Sequence, residues 1–258
     1  MSFEPDPSTQ PATAASPSTA ELWEAHANWW QDEFTDGVDP EYVEQIIPLA
    51  IEVMDKAKRI IDVGTGEGQI ARVLQGLGSD VVGVDPVVAQ IEEANRRGGG
   101  PAYVLAGADD LPFANNEFDA AIACLVFEHI DTMDEAMSEI ARVVRPGGRF
   151  ALFLNHPLMQ PPGSGWIDDH MVDPPEQYWR LGPYLHEGET IEQVQKGVFI
   201  RFVHRPLGRY VNAMSDAGLR LVRMIEPAPP EGFLAKAPEY FDASSIPRLL
   251  VLVAEKPA

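Results

Sequence analysis

The chain has 258 residues and carries 19 Lys and Arg against 40 Asp and Glu, a formal net charge of −21. Proteins that bind nucleic acid neutralise its phosphates with Lys and Arg, and an acidic surface also repels anionic lipid. No run approaches the roughly 20 apolar residues that span a bilayer. These features argue against nucleic-acid and membrane partners. With 45% hydrophobic and 23% charged residues, the composition is typical of a soluble globular protein.

Residues 1–20 are mostly Pro, Ser, Thr and Ala. Such a segment buries too little apolar surface to offset the entropy of ordering it, so we expect a disordered tail. It lacks the basic start and apolar centre of a signal peptide. The single cysteine, Cys124, cannot form an internal disulfide, which suits a reducing compartment. We therefore expect a cytoplasmic protein, either a monomer or a homodimer.

Residues 21–57 have a helical pattern that is interrupted at Thr35, Asp36 and Gly37. The segment is unusually rich in aromatic side chains, and these are Trp23, Trp29, Trp30, Phe34 and Tyr42. It is interpreted either as a strap packed on the main domain or as a lid over a ligand. Both can hold, because lids are often helices that pack through aromatic side chains and move.

Residues 58–155 alternate between two patterns. Five apolar runs predict strands that are buried on both faces: Ile60–Gly64, Val81–Asp85, Tyr103–Leu105, Phe118–Leu125 and Arg149–Leu154. Amphipathic stretches between them predict helices: Gln69–Leu77, Val87–Arg97 and Met133–Val144. This alternation predicts an α/β domain, a parallel sheet covered by helices.

The remaining chain divides in two. Residues 156–208 are rich in Pro, Gly, His and aromatic side chains, with a helix expected around 175–185. We interpret this segment as an insertion that caps the domain and forms an acceptor pocket. Residues 209–258 complete the core with one helix and two strands, Leu219–Ile225 and Leu249–Ala254.

A glycine-rich loop joins the first predicted strand to the first helix. It reads Asp62-Val63-Gly64-Thr65-Gly66-Glu67-Gly68. Glycines there let the backbone approach a ligand, and a helix N-terminus offers free amides. The spacing G-x-G-x-G differs from the G-x-G-x-x-G that holds a dinucleotide pyrophosphate. Asp85 ends the next strand, where a carboxylate can accept both ribose hydroxyls; it can also cap the following helix.

Together these motifs resemble the class I S-adenosylmethionine-dependent methyltransferases, of the small-molecule type that acts on quinones and natural products. Three further stretches agree in order and spacing: Ala108–Phe113 with Asn115–Asp119, Leu125–His129, and Arg142–Gly148. The resemblance implies a Rossmann-like, mostly parallel seven-stranded sheet with the last strand antiparallel. It also implies helices on both faces, an N-terminal helical strap and a cap after strand five.

The resemblance assigns S-adenosylmethionine as cofactor and places residues around it. Gly64, Gly66 and Gly68 would wrap the methionine moiety, and Asp62 would hold its ammonium group. Asp85 would hold the ribose, and Pro86 would pack beside the adenine. The Ala108 amide and the Asp109 side chain would read the adenine edge, and Leu125 would complete the cofactor site. The chain departs from the family at Gly107, where an aspartate is common.

The expected reaction is methyl transfer to an oxygen of a small aromatic or apolar molecule, in preference to a carbon or nitrogen. His156, just past strand five, is the leading candidate for a general base, and His129, just past strand four, is the second. His129 has an alternative structural role, and His204 is expected to order a chain turn. No clustered His, Asp or Glu residues predict a metal site.

Two other functions stay open. One is a non-catalytic S-adenosylmethionine-binding regulator, because methyl transfer driven by positioning leaves no obligatory catalytic residue. The other is a nicotinamide-dependent oxidoreductase, which the glycine spacing disfavours. A nucleic-acid acceptor is disfavoured by the charge. Leu125-Val126-Phe127-Glu128 also stands where amino-methylating nucleic-acid enzymes carry an N-P-P-Y-like motif.

Overall fold

A computed structural model describes residues 9–11, 17–236 and 241–258 of the chain. The helices are α1 (Thr19–Phe34), α2 (Ile47–Val53), α3 (Gln69–Gly76), α4 (Val88–Arg97), α5 (Met133–Val143), α6 (Leu207–Asp216) and α7 (Glu231–Lys236). A π-helical turn, Tyr42–Ile46, leads into α2, and a short 3-10 helix spans Phe241–Ser245.

The strands of the central sheet are β2 (Arg59–Val63), β3 (Asp80–Asp85), β4 (Ala102–Leu105), β5 (Phe118–Cys124), β6 (Val144–Asn155), β11 (Arg220–Ile225) and β12 (Leu249–Glu255). The others are β1 (Thr9–Pro11), β7 (Gly165–Asp169), β8 (Glu176–Arg180), β9 (Gly188–Gln195) and β10 (Val198–His204).

The central sheet has seven strands in the order β11-β12-β6-β5-β2-β3-β4. Strand β12 runs antiparallel to both of its neighbours, and the pairings among β2 to β6 are parallel. The predicted fold class, including the antiparallel last strand, is therefore confirmed. Among the described residues, no helix is long and apolar enough to cross a membrane.

Successive residues of a strand point to opposite faces of the sheet. Because both faces carry apolar side chains, helices pack on both. Ile61 packs in one core cluster with Met137 of α5 and Met214 of α6. Its neighbour Ile60 packs in a second cluster, which includes Leu74 of α3. The near-continuous apolar strands predicted from sequence are thus buried on both sides. The carboxyl ends of β2 to β6 meet at one edge, where open α/β sheets bind ligands.

Helix α1 lies beside that edge. It begins with a capping box between Ser18 and Glu21 and ends at Phe34. Asp36 and Gly37 follow with φ of 56° and 84°, so the predicted interruption is where the helix stops. Within the predicted tail 1–20, Thr9–Pro11 form a strand paired with β9. Residues 1–8 and 12–16 of that tail lie outside the described residues.

The insertion 156–208 folds into antiparallel ribbons, β7 with β8 and β9 with β10. The helix expected around 175–185 is wrong, because Glu176–Arg180 is a strand. Trp179 stands opposite Trp166 across the ribbon, with ring centroids 5.7 Å apart in a T-shaped arrangement. Aromatic residues favour strands when a partner strand supplies such a cross-strand pair. That partner, Trp166, is 13 residues away in sequence and is not visible in local periodicity.

Candidate functional site

A cavity of about 360 Å³ opens at the carboxyl edge of the sheet. Its roof comes from the start and middle of α1, through Ala20, Trp23 and Trp30. Most of the residues predicted for the site line it: Asp62, Gly64, Gly66, Asp85, Pro86, Ala108, Asp109, Leu125 and His129. Gly68 and His156 are not among the lining residues.

The glycine loop is shaped by left-handed backbone and close packing. Gly64 has φ of 72°, and a Cβ on it would lie 2.6 Å from Cγ1 of Val126. Gly68 has φ of 85° and precedes α3, where a Cβ would overlap the hydroxyl of Tyr103. Gly64 therefore brings bare backbone to the cavity. Gly68 lets the loop turn into the helix without lining the cavity itself.

Asp85 ties the loop to the start of α4. Its Oδ2 accepts a hydrogen bond from the Gly66 amide at 3.0 Å, and its Oδ1 accepts one from the Val87 amide at 2.9 Å. Burial raises the pKa of this carboxyl to about 6. Each carboxylate oxygen has a second lone pair, so Asp85 can cap the helix and still accept a ligand hydroxyl.

Asp62 lies at the end of β2, buried beneath the loop. The Thr65 hydroxyl donates to its Oδ2 at 2.8 Å. Burial, helped by the charge of Asp85, raises the pKa of Asp62 to about 7. A nearby cation would favour the ionised form of both carboxyls. This end of the cavity is therefore arranged to accept a positively charged group.

Asp109 lies at the far end of the cavity, and its Oδ2 accepts a hydrogen bond from the Thr132 hydroxyl at 2.9 Å. Its other oxygen, Oδ1, lies 2.6 Å from where a Cβ on Gly107 would stand. The glycine at the family's usual aspartate position thus leaves room for the Asp109 carboxylate.

His129 follows β5 and is fixed in one tautomer. Its Nδ1 lies 2.7 Å from the carbonyl oxygen of Arg201, which can only accept, so Nδ1 carries the proton. The ring packs against Trp23 and Phe202, with centroids 5.0 and 4.8 Å away. Burial lowers the pKa of His129 to about 4. The imidazole is neutral near pH 7, and Nε2 is its basic atom.

His156 lies elsewhere, and the structure corrects its predicted role as the leading base. It is buried, its Nδ1 accepts from the Leu158 amide at 3.1 Å, and its Nε2 donates to Oε1 of Glu226 at 2.8 Å. An imidazole with both nitrogens engaged, outside the cavity lining, has no route to an acceptor there. His204 Nε2 donates to the carbonyl of Tyr184 at 2.8 Å, as its predicted ordering role requires.

The insertion 156–208 contributes no residue to the lining of this cavity, contrary to its predicted role as the acceptor pocket. It supports the turn after β5 instead. The Val203 amide donates to the Glu128 carbonyl at 2.7 Å. The Arg205 guanidinium donates to the carbonyls of Phe127 at 3.0 Å and Ile130 at 2.6 Å. These contacts position His129 from outside.

Tyr42 and Cys124 line the cavity and were not predicted as site residues. Tyr42 packs edge-on against Trp30, with centroids 6.0 Å apart. Sequence placed Tyr42 in the aromatic strap, and only tertiary packing shows that it faces the cavity. Among the described residues, no group of three His, Cys, Asp or Glu could hold a metal ion.

Residues 61–152 match the sequence profile of the family described as a methyltransferase domain. Residues 61–152 form a class I methyltransferase domain.

Several methyltransferases are similar in sequence to this domain. An uncharacterized methyltransferase of Mycobacterium tuberculosis is 32% identical over 116 residues, 45% of each chain. An O-methyltransferase of Aspergillus sclerotiorum is 34% identical over 144 residues, 49% of this chain and 52% of that protein. The chain thus spans about half the length of the curated relatives it matches.

The fold extends beyond the methyltransferase domain. The crystal structure of an S-adenosylmethionine-dependent methyltransferase from Mesorhizobium loti superimposes with a TM-score of 0.69. The match covers 81% of this chain and 96% of that chain, at 24% sequence identity. At this identity the likeness concerns the fold.

Proposed function

We propose that this protein transfers the methyl group of S-adenosylmethionine to an oxygen of a small, uncharged aromatic or apolar molecule. The observation that carries the proposal is one cavity that joins three features. These are a glycine loop with buried carboxyls, an aromatic roof, and the neutral His129.

The residues at the base of the cavity fit the cofactor. S-adenosylmethionine carries a sulfonium and an ammonium group, and Asp62 and Asp85 supply negative charge beside bare backbone at Gly64. Among the described residues, neither Lys nor Arg lines the cavity. Asp62 would hold the ammonium group and Asp85 the ribose hydroxyls. Asp109, with Ala108 and Pro86, would face the adenine.

The acceptor would bind beneath the roof. Trp23, Trp30 and Tyr42 offer apolar rings to a planar molecule. Two basic side chains of the insertion are engaged elsewhere, since Arg201 pairs with Glu189 and Arg205 donates to backbone carbonyls. A carboxylate or phosphate acceptor would therefore meet acidic walls without a cation, which favours an uncharged hydroxyl.

His129 would take the proton of that hydroxyl. Nε2 holds a free lone pair, and the Arg201 carbonyl stabilises the imidazolium that forms, through Nδ1–H. A positioned base contributes about 10²–10⁴ in rate, and holding the nucleophile in line contributes up to roughly 7–11 kcal/mol. The bound cofactor supplies an electrophilic methyl group. The aromatic roof excludes water from the transfer.

Calorimetry with S-adenosylmethionine and with S-adenosylhomocysteine tests the cofactor assignment. We expect both to bind, and NADH to give no heat. A labelled-methyl screen against the small-molecule extract of the source cell then tests transfer. Binding without transfer to any component would replace this proposal with a non-catalytic S-adenosylmethionine-binding protein. No heat from either ligand would refute the cofactor, and binding of NADH alone would point to an oxidoreductase.

A further inference from the structure

Arg97, the last residue of α4, connects the end of α1, the roof helix, to the glycine loop. Its Nη1 donates to the Thr35 hydroxyl at 3.1 Å and to Oδ2 of Asp36 at 2.9 Å. The same nitrogen lies 3.3 Å from Oε2 of Glu67, and Nε donates to Glu93 at 2.7 Å. One guanidinium therefore contacts both the two residues that follow α1 and the glycine loop.

Glu67 is the loop residue between Gly66 and Gly68, and it is buried and lines the cavity. Arg72 holds its side chain through Nη2 at 2.5 Å and also donates to its backbone carbonyl. Arg97 is the second cation beside this carboxylate. A buried carboxylate needs such partners, because removing it from water is costly unless the charge is compensated.

The end of α1 is also held by Trp30 and Phe34, which pack against the core, and by Gln31, which donates to Gln90 at 3.0 Å. Gln69 of α3 accepts from the Asp36 amide at 3.2 Å and donates to the Phe34 carbonyl at 3.4 Å. Beyond Asp36 the chain turns through Gly37 in the left-handed region. Thr35 is 1% exposed, so its bond to Arg97 is shielded from water. The roof helix is thus fastened where it ends, by a residue that also reaches the loop.

We propose that Arg97 is a positioning residue that couples closure of α1 over the cavity to the placement of Glu67 in the glycine loop. The inference rests on the proposed function, since the cavity is taken to hold S-adenosylmethionine. With Arg97 in place, the roof and the loop share one ion-paired support, and a bound cofactor is enclosed. Without it, the roof loses its buried anchor and Glu67 keeps Arg72 alone.

Arg97→Gln tests this coupling against a matched control, Arg96→Gln. Arg96 also pairs with Glu93 but is 72% exposed and, among the described residues, has no hydrogen bond or ion pair to Thr35, Asp36 or Glu67, whereas Arg97 is 15% exposed. Calorimetry measures S-adenosylhomocysteine affinity. We expect about a tenfold loss for Arg97→Gln, within the usual range of coupling between sites, and less than about twofold for Arg96→Gln, as for an exposed pair.

Tryptophan fluorescence reads the roof directly. Three of the five tryptophans lie in α1, and Trp166→Phe with Trp179→Phe removes the other two. In this background, acrylamide should quench the ligand-free Arg97→Gln protein more strongly than the Arg96→Gln protein. Thr35→Val should give the same increase, and combining it with Arg97→Gln should add little. A role in stability alone would lower the melting temperature without changing quenching.

Equal affinity and equal quenching for Arg97→Gln and Arg96→Gln would overturn the inference, as would additive effects of Thr35→Val and Arg97→Gln. If the unaltered protein binds neither nucleoside, the proposed cofactor fails, yet the quenching comparison still decides whether Arg97 anchors the roof. If Arg97→Gln does not fold, Thr35→Val supplies the same comparison.

Discussion

Replacing Gly64 with alanine should destabilise the ligand-free protein through two separable effects. The φ of 72° puts the new side chain in the left-handed region, which costs about 1–2 kcal/mol. The new Cβ would also stand 2.6 Å from Cγ1 and 3.0 Å from Cβ of Val126. Overpacking of this kind costs typically about 1–3 kcal/mol. We therefore expect Gly64→Ala to lower the free energy of unfolding by about 2–5 kcal/mol.

Gly66 is the matched control in the same loop. Its φ of 56° is also left-handed, but a Cβ there would meet only Nε1 of Trp30, at an ordinary 3.7 Å. Gly66→Ala should therefore show only the backbone cost, about 1–2 kcal/mol. Adding Val126→Ala to Gly64→Ala should recover the stability lost to overpacking and leave the loss due to the left-handed backbone.

Urea unfolding of the ligand-free proteins measures these differences. A double-mutant cycle removes the effect of Val126→Ala alone. Equal losses for Gly64→Ala and Gly66→Ala would show that the contact with Val126 carries no energy. A full return to the stability of the unaltered protein in the Gly64→Ala, Val126→Ala variant would refute the backbone term.

Four further predictions concern ionisation, proton transfer and hydrogen bonding. Asp62→Asn should stabilise the ligand-free protein by about 1–3 kcal/mol at pH 8 and have little effect at pH 3. Burial raises the pKa of Asp62 to about 7, so its ionisation lowers the stability of the folded protein as pH rises through that value. A stability gain that does not depend on pH would contradict this, and the affinity for S-adenosylmethionine should fall. His129→Gln should reduce the rate of methyl transfer to the identified acceptor by a factor of about 10²–10⁴, while the cofactor affinity changes only a few-fold. Loss of turnover in His156→Gln but not in His129→Gln would instead support His156 as the base. With the pKa of His129 lowered to about 4, the kcat/KM of the unaltered protein should show no His129 inflection between pH 5 and 8, whereas one near pH 6.5 would indicate a solvated imidazole. Arg205→Lys should reduce stability by about 1–3 kcal/mol, because one ammonium cannot reach every carbonyl that the guanidinium bonds, and an unchanged urea midpoint would remove Arg205 from the support of the β5 turn.

Much of the sheet was predictable because its strands are local, apolar and buried on both faces. The runs at Ile60, Val81 and Phe118 coincide with β2, β3 and β5. The glycine loop was equally predictable, since left-handed backbone favours glycine. A ligand site at the strand ends then follows from the topology, because the carboxyl ends of parallel strands meet at one edge.

The roles of individual side chains were not predictable in the same way. His129 and His156 both follow central strands, and the sequence analysis ranked His156 above His129 as the candidate base. The fold places Arg201 against His129 and Glu226 against His156. These partners are 72 and 70 residues away in sequence, so the availability of each imidazole depends on contacts that no local pattern contains.

The sequence by itself determined the parallel α/β core, the glycine loop and the acidic strand end at Asp85, since periodicity and backbone requirements are local, and the family resemblance supplied the antiparallel last strand. Tertiary structure alone decided that α1, and not the insertion 156–208, roofs the cavity. It also decided that the insertion forms ribbons that brace the β5 turn, and that Tyr42 faces the cavity. Each of these depends on which distant segments pack together, and burial against a partner, unlike periodicity, exists only once the chain has folded.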